Sequence, residues 1–460
     1  MKNVLSIILA AGKSNRMKTS TPKVLCEILF KPMIKWVVDS CKNFGCKDSN
    51  ICIIYSDEGK SIVSETNNKL VYRLQAQRLG TGHAVMQAKD FIENSDQEDV
   101  LIMLGDVPLI SSDVLSELYS THVDQDNTAT ILSSDVQDPY GYGRIIRDEY
   151  NPDFVLSITE ELDFNVCQKA IKEINSGVMC FKREDLLKAL DKIDNNNVKK
   201  EYYITSVIDI LVSMNKKIGA YNCKDEALVS GVNTRAQLMQ INNIARLNVI
   251  EKLAINQGVE FLSDQGVIIS PEVEIGSGST IYPGVIIKGK TTIGSSCIIT
   301  SNSFIEDSII DDNTIVKSSY ISNSNIGKNV KIGPFSNIRP NCFIKNDVKI
   351  GDFVEVKNSL IGEKTSVAHL TYIGDSDVGK NVNFGCGCVT VNYDGINKYR
   401  TIIEDDCFIG CNTNLVAPVR IGKGGYTAAG TTVTDDVPSD SMCIARSRQV
   451  VKHGWKLSKK

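Results

Sequence analysis

Aliphatic residues return at every sixth position through the second half of the chain, from about residue 267 to residue 437. A period of six is neither the 3.6 of an α-helix nor the 2 of a flat strand. The spacing is unbroken in three runs, which are Ile275, Ile281, Ile287, Ile293, Ile299 and Ile305; Ile326, Ile332, Ile338, Ile344, Ile350 and Val356; and Ile403, Ile409, Leu415, Ile421, Thr427 and Val433. A β-sandwich with alternating strands would not produce such runs. The sequence therefore predicts a left-handed parallel β-helix of hexapeptide repeats.

Two further features of the hexads fit a narrow coil. Small residues such as Ser336 and Cys342, four places after the aliphatic residue, are expected to share the interior. Glycine often follows the aliphatic residue, as at Gly333, Gly351 and Gly410. We expect these glycines to bend the chain sharply at the corners of the coil.

The first part of the chain has a different pattern, in which short apolar runs alternate with helical segments. We predict strands at Val4–Leu9, Ile51–Tyr55, Val71–Leu74 and 100–104, and helices at 32–44 and 83–92. This alternation is typical of an α/β, Rossmann-like parallel sheet with helices on both faces. Ligands of such sheets gather at the carboxyl ends of the strands.

A helix is predicted between the two patterns. Thr234 and Gln237 have the spacing of a capping box, and Gly258 is placed to end the helix. Its apolar positions fall on one face, at Leu238, Ile241, Ala245, Val249 and Leu253. The sequence thus predicts an α/β domain over 1–230, a helical linker over 231–260, and a β-helix domain with a C-terminal tail over 261–460.

Composition narrows the classes of protein. The chain has 460 residues, 42% of them hydrophobic, and a net charge of -4, which argues against a nucleic-acid-binding surface. The 14 cysteines, with neither a signal peptide nor an apolar run long enough to span a membrane, indicate reduced thiols in the cytoplasm. Cys386, Cys388, Cys407 and Cys411 lack the usual spacings of zinc ligands, so we interpret them as interior filler.

The first strand runs directly into a glycine turn with basic side chains. The segment reads Leu9-Ala10-Ala11-Gly12-Lys13-Ser14-Asn15-Arg16-Met17, and Pro22-Lys23 follows it. Such a turn can bring backbone N–H groups and positive charge against phosphates, although a plain strand-to-helix connection is the alternative. The joint pattern resembles the signature of the sugar-nucleotide pyrophosphorylases.

Polar residues follow other strands of the predicted sheet. Asp106 emerges from an apolar strand, where a carboxylate is suited to hold Mg²⁺ between phosphates or merely to cap a turn. Asn233 offers a second oxygen ligand. Gln75 leads to Gly80 and Thr81, which we interpret as a bare floor for a flat base and a hydrogen-bonding group for its edge.

Over nearly its whole length the chain resembles the bacterial bifunctional N-acetylglucosamine-1-phosphate uridyltransferase/glucosamine-1-phosphate acetyltransferases. The resemblance implies UTP and N-acetylglucosamine 1-phosphate as substrates of the first domain, with Mg²⁺. It implies acetyl-CoA and glucosamine 1-phosphate as substrates of the second, and homotrimers whose acetyl-transfer sites are shared between subunits. The two reactions belong to the biosynthesis of UDP-N-acetylglucosamine.

The resemblance also assigns residues. For nucleotide and sugar phosphate in the first domain it implies Leu9, Ala10, Ala11, Gly12, Arg16, Lys23, Gln75, Gly80, Thr81, Gly141, Glu160, Asn175 and Asn233, with Asp106 and Asn233 on the metal. For the amino sugar phosphate it implies Arg339, Lys357, Tyr372, Asn383, Asn392, Tyr393 and Lys398, and for acetyl-CoA it implies Cys386, Cys411, Ala429 and Arg446. The chain departs from the family at Ser14, Asn15 and Leu104, and at Cys386 and Cys411, where the family commonly has Ala and Ser.

His369 is the candidate base for acetyl transfer, because the ammonium of the amino sugar must lose a proton and a neutral imidazole suits this task near pH 7. Of the four histidines, His83 opens a helix, His122 lies in a polar segment and His453 is in the basic tail, so His369 alone lies within the hexads. Loops that interrupt the hexads, above all 390–401, are expected to carry binding residues.

Two other classes of function remain open at this stage. A nucleotidyltransferase whose β-helix serves only in oligomerisation would not need His369 or the loop at Asn392. A non-enzymatic scaffold would have no reason to combine Lys23, Asp106 and Asn233 with His369.

Overall fold

The structure is a computed structural model that describes residues 3–13, 15–66, 69–164 and 168–455. The chain forms two compact units, Met1–Ala245 and Arg246–Lys460. The predicted limits of the linker, 231–260, stay a prediction. No helix in the described ranges is both long enough and apolar enough to cross a bilayer.

The first unit is built on a mixed sheet and a small separate pair of strands. The strands of the unit are β1 Val4–Leu9, β2 Glu27–Ile28, β3 Lys31–Pro32, β4 Ile51–Tyr55, β5 Val71–Leu74, β6 Asp99–Leu104, β7 Ala129–Asp135, β8 Arg144–Arg147, β9 Val155–Thr159, β10 Glu173–Lys182 and β11 Ile218–Asn222. The separate pair consists of β2 and β3. Its helices are α1 Met33–Phe44, α2 Ser61–Thr66, α3 Thr81–Met86, α4 Lys89–Glu93, α5 Ser112–Asp124, α6 Arg183–Leu190, α7 Ser206–Ser213 and α8 Glu226–Val229. Short 3₁₀ helices lie at Asn15–Met17, Lys23–Leu25, Asp48–Asn50, Asp57–Gly59, Glu161–Asp163 and Gln168–Ala170.

The strand order of the sheet is β11-β7-β10-β6-β1-β4-β5. β1 is buried at all six positions, and its side chains alternate between two cores, with Ile7 in one and Ile8 in the other. β1 pairs in parallel with β4 and β6, as predicted. The expectation of a parallel sheet is wrong for β10, which runs antiparallel to β6 and β7.

One smaller expectation for this unit is also wrong. The single helix over 83–92 is instead two helices, α3 and α4, since the chain leaves α3 after Met86. His122 belongs to a segment that is polar in sequence. It is fully buried on α5, where its Nδ1 lies 2.9 Å from the Thr130 hydroxyl.

The second unit is the parallel β-helix predicted from the hexads. Successive short strands lie in turn on three faces, here called A, B and C. Face A contains Glu260–Phe261, Thr280–Ile281, Ile298–Ile299, Ile315–Val316, Lys331–Ile332, Lys349–Asp352, Ser366–His369, Asn383–Phe384, Phe408–Ile409, Tyr426–Thr427 and Met442–Cys443. Face B contains Ile268–Ile269, Ile286–Lys288, Phe304–Glu306, Tyr320–Ser322, Asn337–Ile338, Glu355–Lys357, Tyr372–Gly374, Val389–Val391, Asn414–Val416 and Thr432–Val433. Face C contains Glu274–Ile275, Thr292–Ile293, Ile309–Ile310, Asn325–Ile326, Phe343–Ile344, Leu360–Ile361, Ser376–Val378, Thr401–Ile403 and Val419–Ile421.

The hexad residues form the continuous core of this unit. All members of the three aliphatic runs are buried, as are Ser336 and Cys342 at the small positions. Neighbouring coils pair in parallel along each face, so the backbone groups of one coil are satisfied by the next.

Glycine was predicted to bend the chain sharply at the corners of the coil, and this holds at Gly333, whose φ is +94°. This prediction is wrong at Gly351 and Gly410, where a Cβ would lie 1.8 Å from the carbonyl oxygen of Ala368 and 2.4 Å from that of Thr427. Glycine is needed there because adjacent coils approach closely. Many left-handed corner positions are instead taken by Asn or Asp, for which this conformation is less costly than for most residues.

The long helix α9, Arg235–Gln257, has the predicted ends. The Thr234 hydroxyl accepts a hydrogen bond from the Gln237 N–H at 3.2 Å, and the Gln237 carbonyl Oε1 accepts one from the Thr234 N–H at 3.0 Å. Gly258 follows in the left-handed conformation, with φ +67°. The capping box and the terminating glycine are therefore confirmed.

Candidate active sites

The carboxyl ends of β1, β5 and β6 enclose a cavity of about 360 Å³. It is lined by Leu9, Ala11, Gly12, Lys13, Lys23, Val24, Gln75, Arg78, Gly80, Thr81, Ala84, Leu104, Asp106 and Glu201. Most of the residues proposed for the nucleotide thus come together. Ala10 does not line the cavity, because it is buried in the sheet, where its N–H donates to the carbonyl of Ile54 at 2.8 Å.

Gln75 is held in place at the floor of this cavity. It is only 3% exposed, and its Nε2 donates to the carbonyl of Gly80 at 3.0 Å and lies 3.1 Å from Nδ1 of His83. Burial lowers the pKa of His83, which favours a neutral ring that accepts from Gln75 at Nδ1. His83 therefore orients Gln75, which is a structural role.

The Gly80 turn packs against a segment that the sequence did not single out. A Cβ at Gly80 would lie 2.4 Å from the carbonyl oxygen of Tyr202, and the Thr81 hydroxyl accepts from the N–H of Ile204 at 3.0 Å. Gly80 was predicted to leave room for a flat nucleotide base, and the close backbone packing is a second reason for glycine at this position. The Thr81 hydroxyl keeps a proton to donate into the cavity.

Four polar side chains converge at the edge of the cavity. Lys23 donates to Oδ2 of Asp106 and, at 3.0 Å, to Oδ1 of Asn233. Arg16 donates to the same Asn233 oxygen at 2.9 Å. The Asp106 and Asn233 oxygens therefore point at one cationic centre, although the two residues lie far apart in the chain.

This arrangement fits a divalent cation. A carboxylate and an amide oxygen that converge on one point are the hard ligands that Mg²⁺ takes when substrate phosphates and waters complete its shell. Among the described residues no group of three or more His, Cys, Asp and Glu is placed to hold a metal ion. A site with two protein oxygens does not need such a group.

A second, more basic cavity adjoins the glycine turn and was not predicted. It has a volume of about 720 Å³ and is lined by Lys13, Lys18, Thr19, Ser20, Pro22, Glu58 and Arg78. Arg78 lines both cavities and donates at 2.8 Å to the Ser56 hydroxyl and to Oε2 of Glu58. A sequence signal existed, since Arg78 immediately precedes the Leu79-Gly80 turn.

Gly141, Glu160 and Asn175, which the resemblance assigns to the sugar, are not part of the lining of the first cavity. Glu160 accepts a hydrogen bond from the Thr205 hydroxyl at 3.0 Å, and burial raises its pKa. Oδ1 of Asn175 accepts from the N–H of Gly177 at 2.9 Å. Gly141 has a φ of +89°, which only glycine adopts without strain.

The positions that depart from the family are only partly visible. Ser14 and the Asn15 side chain lie outside the described part of the chain. Leu104 lines the cavity and packs onto Gly177, where a Cβ would lie 2.4 Å from Leu104 Cδ1.

The second candidate site begins at His369, at the end of a strand on face A. Its side chain is 58% exposed, so it does not fill the coil. Its Nδ1 lies 2.8 Å from Oδ1 of Asp352, which is directly opposite on the neighbouring coil. Sequence reasoning missed Asp352, but their separation of 17 residues, about one coil, was a usable signal.

At the corner between faces B and C, Asp375 is the centre of the residues assigned to the sugar phosphate. It is 5% exposed, accepts from Asn392 and, at 2.5 Å, from Asn358, and lies 3.6 Å from the Lys357 ammonium. Burial alone raises the pKa of Asp375, but the hydrogen bonds from Asn358 and Asn392 and the charge of Lys357 outweigh it and hold the pKa below its usual value. Asp375 was not predicted.

Tyr372 and Asn392 share the space above Gly374. A Cβ at Gly374 would lie 2.4 Å from the Tyr372 hydroxyl and 2.9 Å from Nδ2 of Asn392. Tyr393 lies within the predicted loop, pairs with Lys398 across it, and donates its hydroxyl proton to the carbonyl of Gly395 at 2.6 Å. The interruption of the hexads therefore brings Lys398 back over face B.

Positive charge accumulates at this point. A close approach to Lys357 lowers the pKa of Lys398, and Arg339 contributes in the same direction. Arg339 is paired with Glu355 at 2.8 Å. These cations repel each other, and a bound phosphate dianion would relieve the repulsion. The cluster is therefore suited to bind phosphate.

The residues assigned to acetyl-CoA follow His369 along one edge of the β-helix. The four residues lie two or three positions after the strands of face A in successive coils; they are Cys386, Cys411, Ala429 and Arg446. Asn383 lies on face A itself, below Ser366. Cys388 and Cys407 are buried filler as interpreted, whereas Cys411 is exposed and Cys386 half-buried. The filler interpretation is therefore wrong for Cys411.

Comparison with known proteins covers both units. A family model described as MobA-like NTP transferase domain matches residues 6–200, and one described as bacterial transferase hexapeptide matches residues 323–358. The Bifunctional protein GlmU of Caldanaerobacter subterraneus subsp. tengcongensis is 48% identical over 99% of this chain and 98% of the relative. Those of Clostridium kluyveri and Clostridioides difficile are 47% and 44% identical, each over 98% of this chain and 97% of the relative. The chain therefore belongs to the bifunctional GlmU family.

Proposed function

We propose that the chain catalyses two reactions. The first unit transfers uridylate from UTP to N-acetylglucosamine 1-phosphate and releases pyrophosphate. The second transfers the acetyl group of acetyl-CoA to the amine of glucosamine 1-phosphate. The observation that carries the proposal is that each unit has its own set of reactive side chains, Lys23 with Asp106 and Asn233 in one, and His369 beside the Asp375 cluster in the other.

In uridyl transfer, an oxygen of the sugar phosphate attacks the α-phosphorus of UTP. This oxygen is already ionised at neutral pH, so no general base is required. Gln75 and Thr81 bind the base, while Arg16 and Lys23 neutralise charge on the phosphates as it moves to pyrophosphate. Lys13 and Arg78 extend the positive charge into the adjoining cavity, where the outer phosphates would lie.

Asp106 and Asn233 are the residues that would hold Mg²⁺. When bound, the ion would supply charge neutralisation and orientation for the phosphates. Asp106 is held for this role by the backbone, since its carbonyl accepts from the N–H of Val232, next to Asn233, at 2.9 Å. The two ligands are therefore tied together at the level of the main chain.

In acetyl transfer, Arg339, Lys357 and Lys398 bind the phosphate of the amino sugar. Nε2 of His369 takes a proton from the ammonium, and the freed nitrogen attacks the thioester carbon. The carbon–sulfur bond then breaks, and CoA leaves as a thiol with the proton that His369 had taken. The new amide nitrogen gives up its second proton to solvent, so that the imidazole is again neutral. Acetyl-CoA would lie extended along the edge that carries Cys386, Cys411, Ala429 and Arg446, with its thioester towards His369.

We propose a homotrimer with acetyl-transfer sites shared between subunits. Its support is a corner ridge next to His369, formed by Phe335, Phe353 and Leu370, which are 59%, 57% and 57% exposed. Their φ angles of 58°, 55° and 43° are unfavourable for such side chains. A partner subunit that covers the ridge would explain why bulky apolar residues stand there. Cys41, Cys180, Cys342 and Cys407 are buried free thiols, which fits the proposed cytoplasmic location.

The test uses two variants of the whole protein, each assayed for both activities. Asp106→Ala should lose uridyl transfer by roughly 10² or more, with normal acetyl transfer. His369→Ala should lose acetyl transfer by about 10² to 10⁴, with normal uridyl transfer. If both activities fell together in folded protein, two independent sites would be excluded. If His369→Ala acetylated at the normal rate between about pH 6 and 9, His369 would not be the base.

A further inference from the structure

We infer that Asp352 is a positioning residue for acetyl transfer. Its carboxylate holds the Nδ1 side of His369, so that Nε2 faces the amine of the sugar. This inference rests on the proposed role of His369 as the base, and it adds a residue that sequence patterns did not indicate.

The fold itself brings the two side chains together. The strands Lys349–Asp352 and Ser366–His369 are parallel neighbours on face A, and Asp352 is paired with His369 in their register. Paired residues on neighbouring strands project to the same side of a sheet. The 2.8 Å contact between Asp352 Oδ1 and His369 Nδ1 is therefore fixed by two rigid strands, not by long flexible side chains.

The chemistry of the pair determines which nitrogen can act. The hydrogen bond from His369 lowers the pKa of Asp352 below its usual value, so the carboxylate is ionised at neutral pH and can only accept. The proton of a neutral imidazole is then on Nδ1, and the lone pair is on Nε2. After Nε2 takes the proton of the ammonium, the carboxylate stabilises the imidazolium and itself stays ionised.

Few other charges face this pair among the described residues. Lys349, on the same strand as Asp352, also acts to lower the pKa of Asp352. The next strand of face A carries the neutral Asn383, and the corner below carries Cys386. Asp352 therefore supplies the carboxylate that contacts His369.

A purely structural role for the pair is a weak alternative. Asp352 and His369 are 40% and 58% exposed, and exposed ion pairs contribute little to stability. The β-helix has a comparable pair between coils, Asp312 and Lys328, at 2.9 Å and similarly exposed. Asp312 is remote from His369 in the stack of coils, so it provides a matched control.

The experiment compares Asp352→Asn, Asp352→Glu and Asp312→Asn in the full chain, with acetyl transfer followed by release of the CoA thiol. Asp352→Asn should reduce kcat by about 10- to 100-fold, with little change in KM, less than the roughly 10² to 10⁴ expected for loss of the base. In Asp352→Asn, the acid limb of the pH profile of kcat/KM should move to lower pH, because the Asp352 carboxylate no longer stabilises the His369 imidazolium. Asp352→Glu should recover part of the rate, and Asp312→Asn should match the unmodified protein. Uridyl transfer, measured on the same samples, should be unchanged in all three.

A double variant separates this inference from the proposed function. If Asp352 acts through His369, Asp352→Asn should cause no further loss in a His369→Ala background. An unchanged rate and acid limb in Asp352→Asn, with His369→Ala inactive, would overturn the inference and leave the base intact. Equal losses in Asp352→Asn and Asp312→Asn would also overturn it, as an effect of coil stability. A fully active His369→Ala would overturn both.

Discussion

Asp375 shows what a single buried side chain does in this protein. It contacts Asn358, Asn392 and Lys357 at once, and two of these are residues assigned to the sugar phosphate. A buried carboxylate is tolerated there because every contact donates to it or carries positive charge. Asp375 therefore stabilises the fold and orients the site with the same hydrogen bonds.

Asp375→Asn should lower stability in a pH-dependent way. A carboxyl whose pKa is lowered in the fold stabilises it above its ordinary pKa of 3.8, and this contribution is lost as the pH falls through the lowered value. The variant leaves a buried donor unpaired, at a cost of about 1–3 kcal/mol near pH 6. Its Tm should then be lower by roughly 2–4 °C for each kcal/mol, and the gap to the unmodified protein should narrow below about pH 4.

Calorimetry across the acid range measures the difference in Tm between Asp375→Asn and the unmodified protein. Asp435→Asn, a change of an exposed carboxyl in the same unit, should show neither the loss at pH 6 nor the narrowing. A gap for Asp375→Asn that stayed constant down to about pH 3 would mean that its charge does not stabilise the fold.

At the scale of single residues, the sequence predicted reactive side chains that have a distinctive local context. It did not predict which side chains contact each other. Asp106 stands out because a charge at the end of an apolar run is unusual, and Lys23 stands out because Pro22-Lys23 follows the basic glycine turn. In sequence, Arg78 and Asp352 are marked only by their spacing from Gly80 and His369, and Asp375 is an ordinary polar residue. Their roles depend on neighbours on other strands, coils or loops, which only the fold brings close.

The strand and the coil are the elements on which both sites are built. Neighbouring coils approach most closely where the sequence has glycine, as at Gly351, which faces the Ala368 carbonyl. Gly351 and Ala368 immediately precede Asp352 and His369. The contact between these two coils therefore sets the distance between the two side chains.

Gly351→Ala should damage acetyl transfer by forcing these coils apart. The added Cβ would lie 1.8 Å from a backbone oxygen, which cannot move without its strand. We expect a loss of stability of about 1–3 kcal/mol or more, together with a loss of acetyl transfer like that of Asp352→Asn. Uridyl transfer should be retained.

Gly362→Ala is the matched control. Its Cβ would lie 2.4 Å from the backbone of Gly379, in a clash of the same kind away from the Asp352–His369 pair. It should lower the Tm without a comparable loss of acetyl transfer. Equal losses of activity in both variants would show that general stability, and not the separation of these coils, governs the reaction.

Elements with a strong local signal were predicted well. β1, β4 and β5 and the caps of α9 have the predicted residues at their ends, because apolar runs and capping side chains act within a few positions. The helix predicted over 83–92 was wrong, since the 80–82 turn and α3 are fixed by packing against 202–204, a contact across the fold.

The corner ridge is a property of the whole molecule. Phe335, Phe353 and Leu370 are far apart in sequence but adjacent in the stack of coils, and the Phe335 and Phe353 rings lie 5.5 Å apart. Their exposure and left-handed backbone are unfavourable in an isolated chain. Burial against other subunits would offset both.

Phe335→Lys should therefore dissociate the proposed trimer. Light scattering should give three times the chain mass for the unmodified protein and a smaller species for the variant. Acetyl transfer should fall with dissociation, whereas uridyl transfer should persist. Tyr150→Lys, which changes an aromatic residue that is 97% exposed in the first unit, should leave the mass unchanged. An unmodified protein that is monomeric and fully active in acetylation would exclude a shared site.

The sequence by itself determined the two kinds of fold, the ends of several strands and of the long helix, and the residue types that mark both sites. These features follow from the repeat of apolar residues and from local backbone preferences, which are written in consecutive positions. Only the tertiary structure decided that β10 reverses direction, that Gly351 serves close packing, and that Asp352 meets His369 and Asp375 meets Lys357. Those outcomes depend on which strands and coils become neighbours, and this is set by the burial of the whole core.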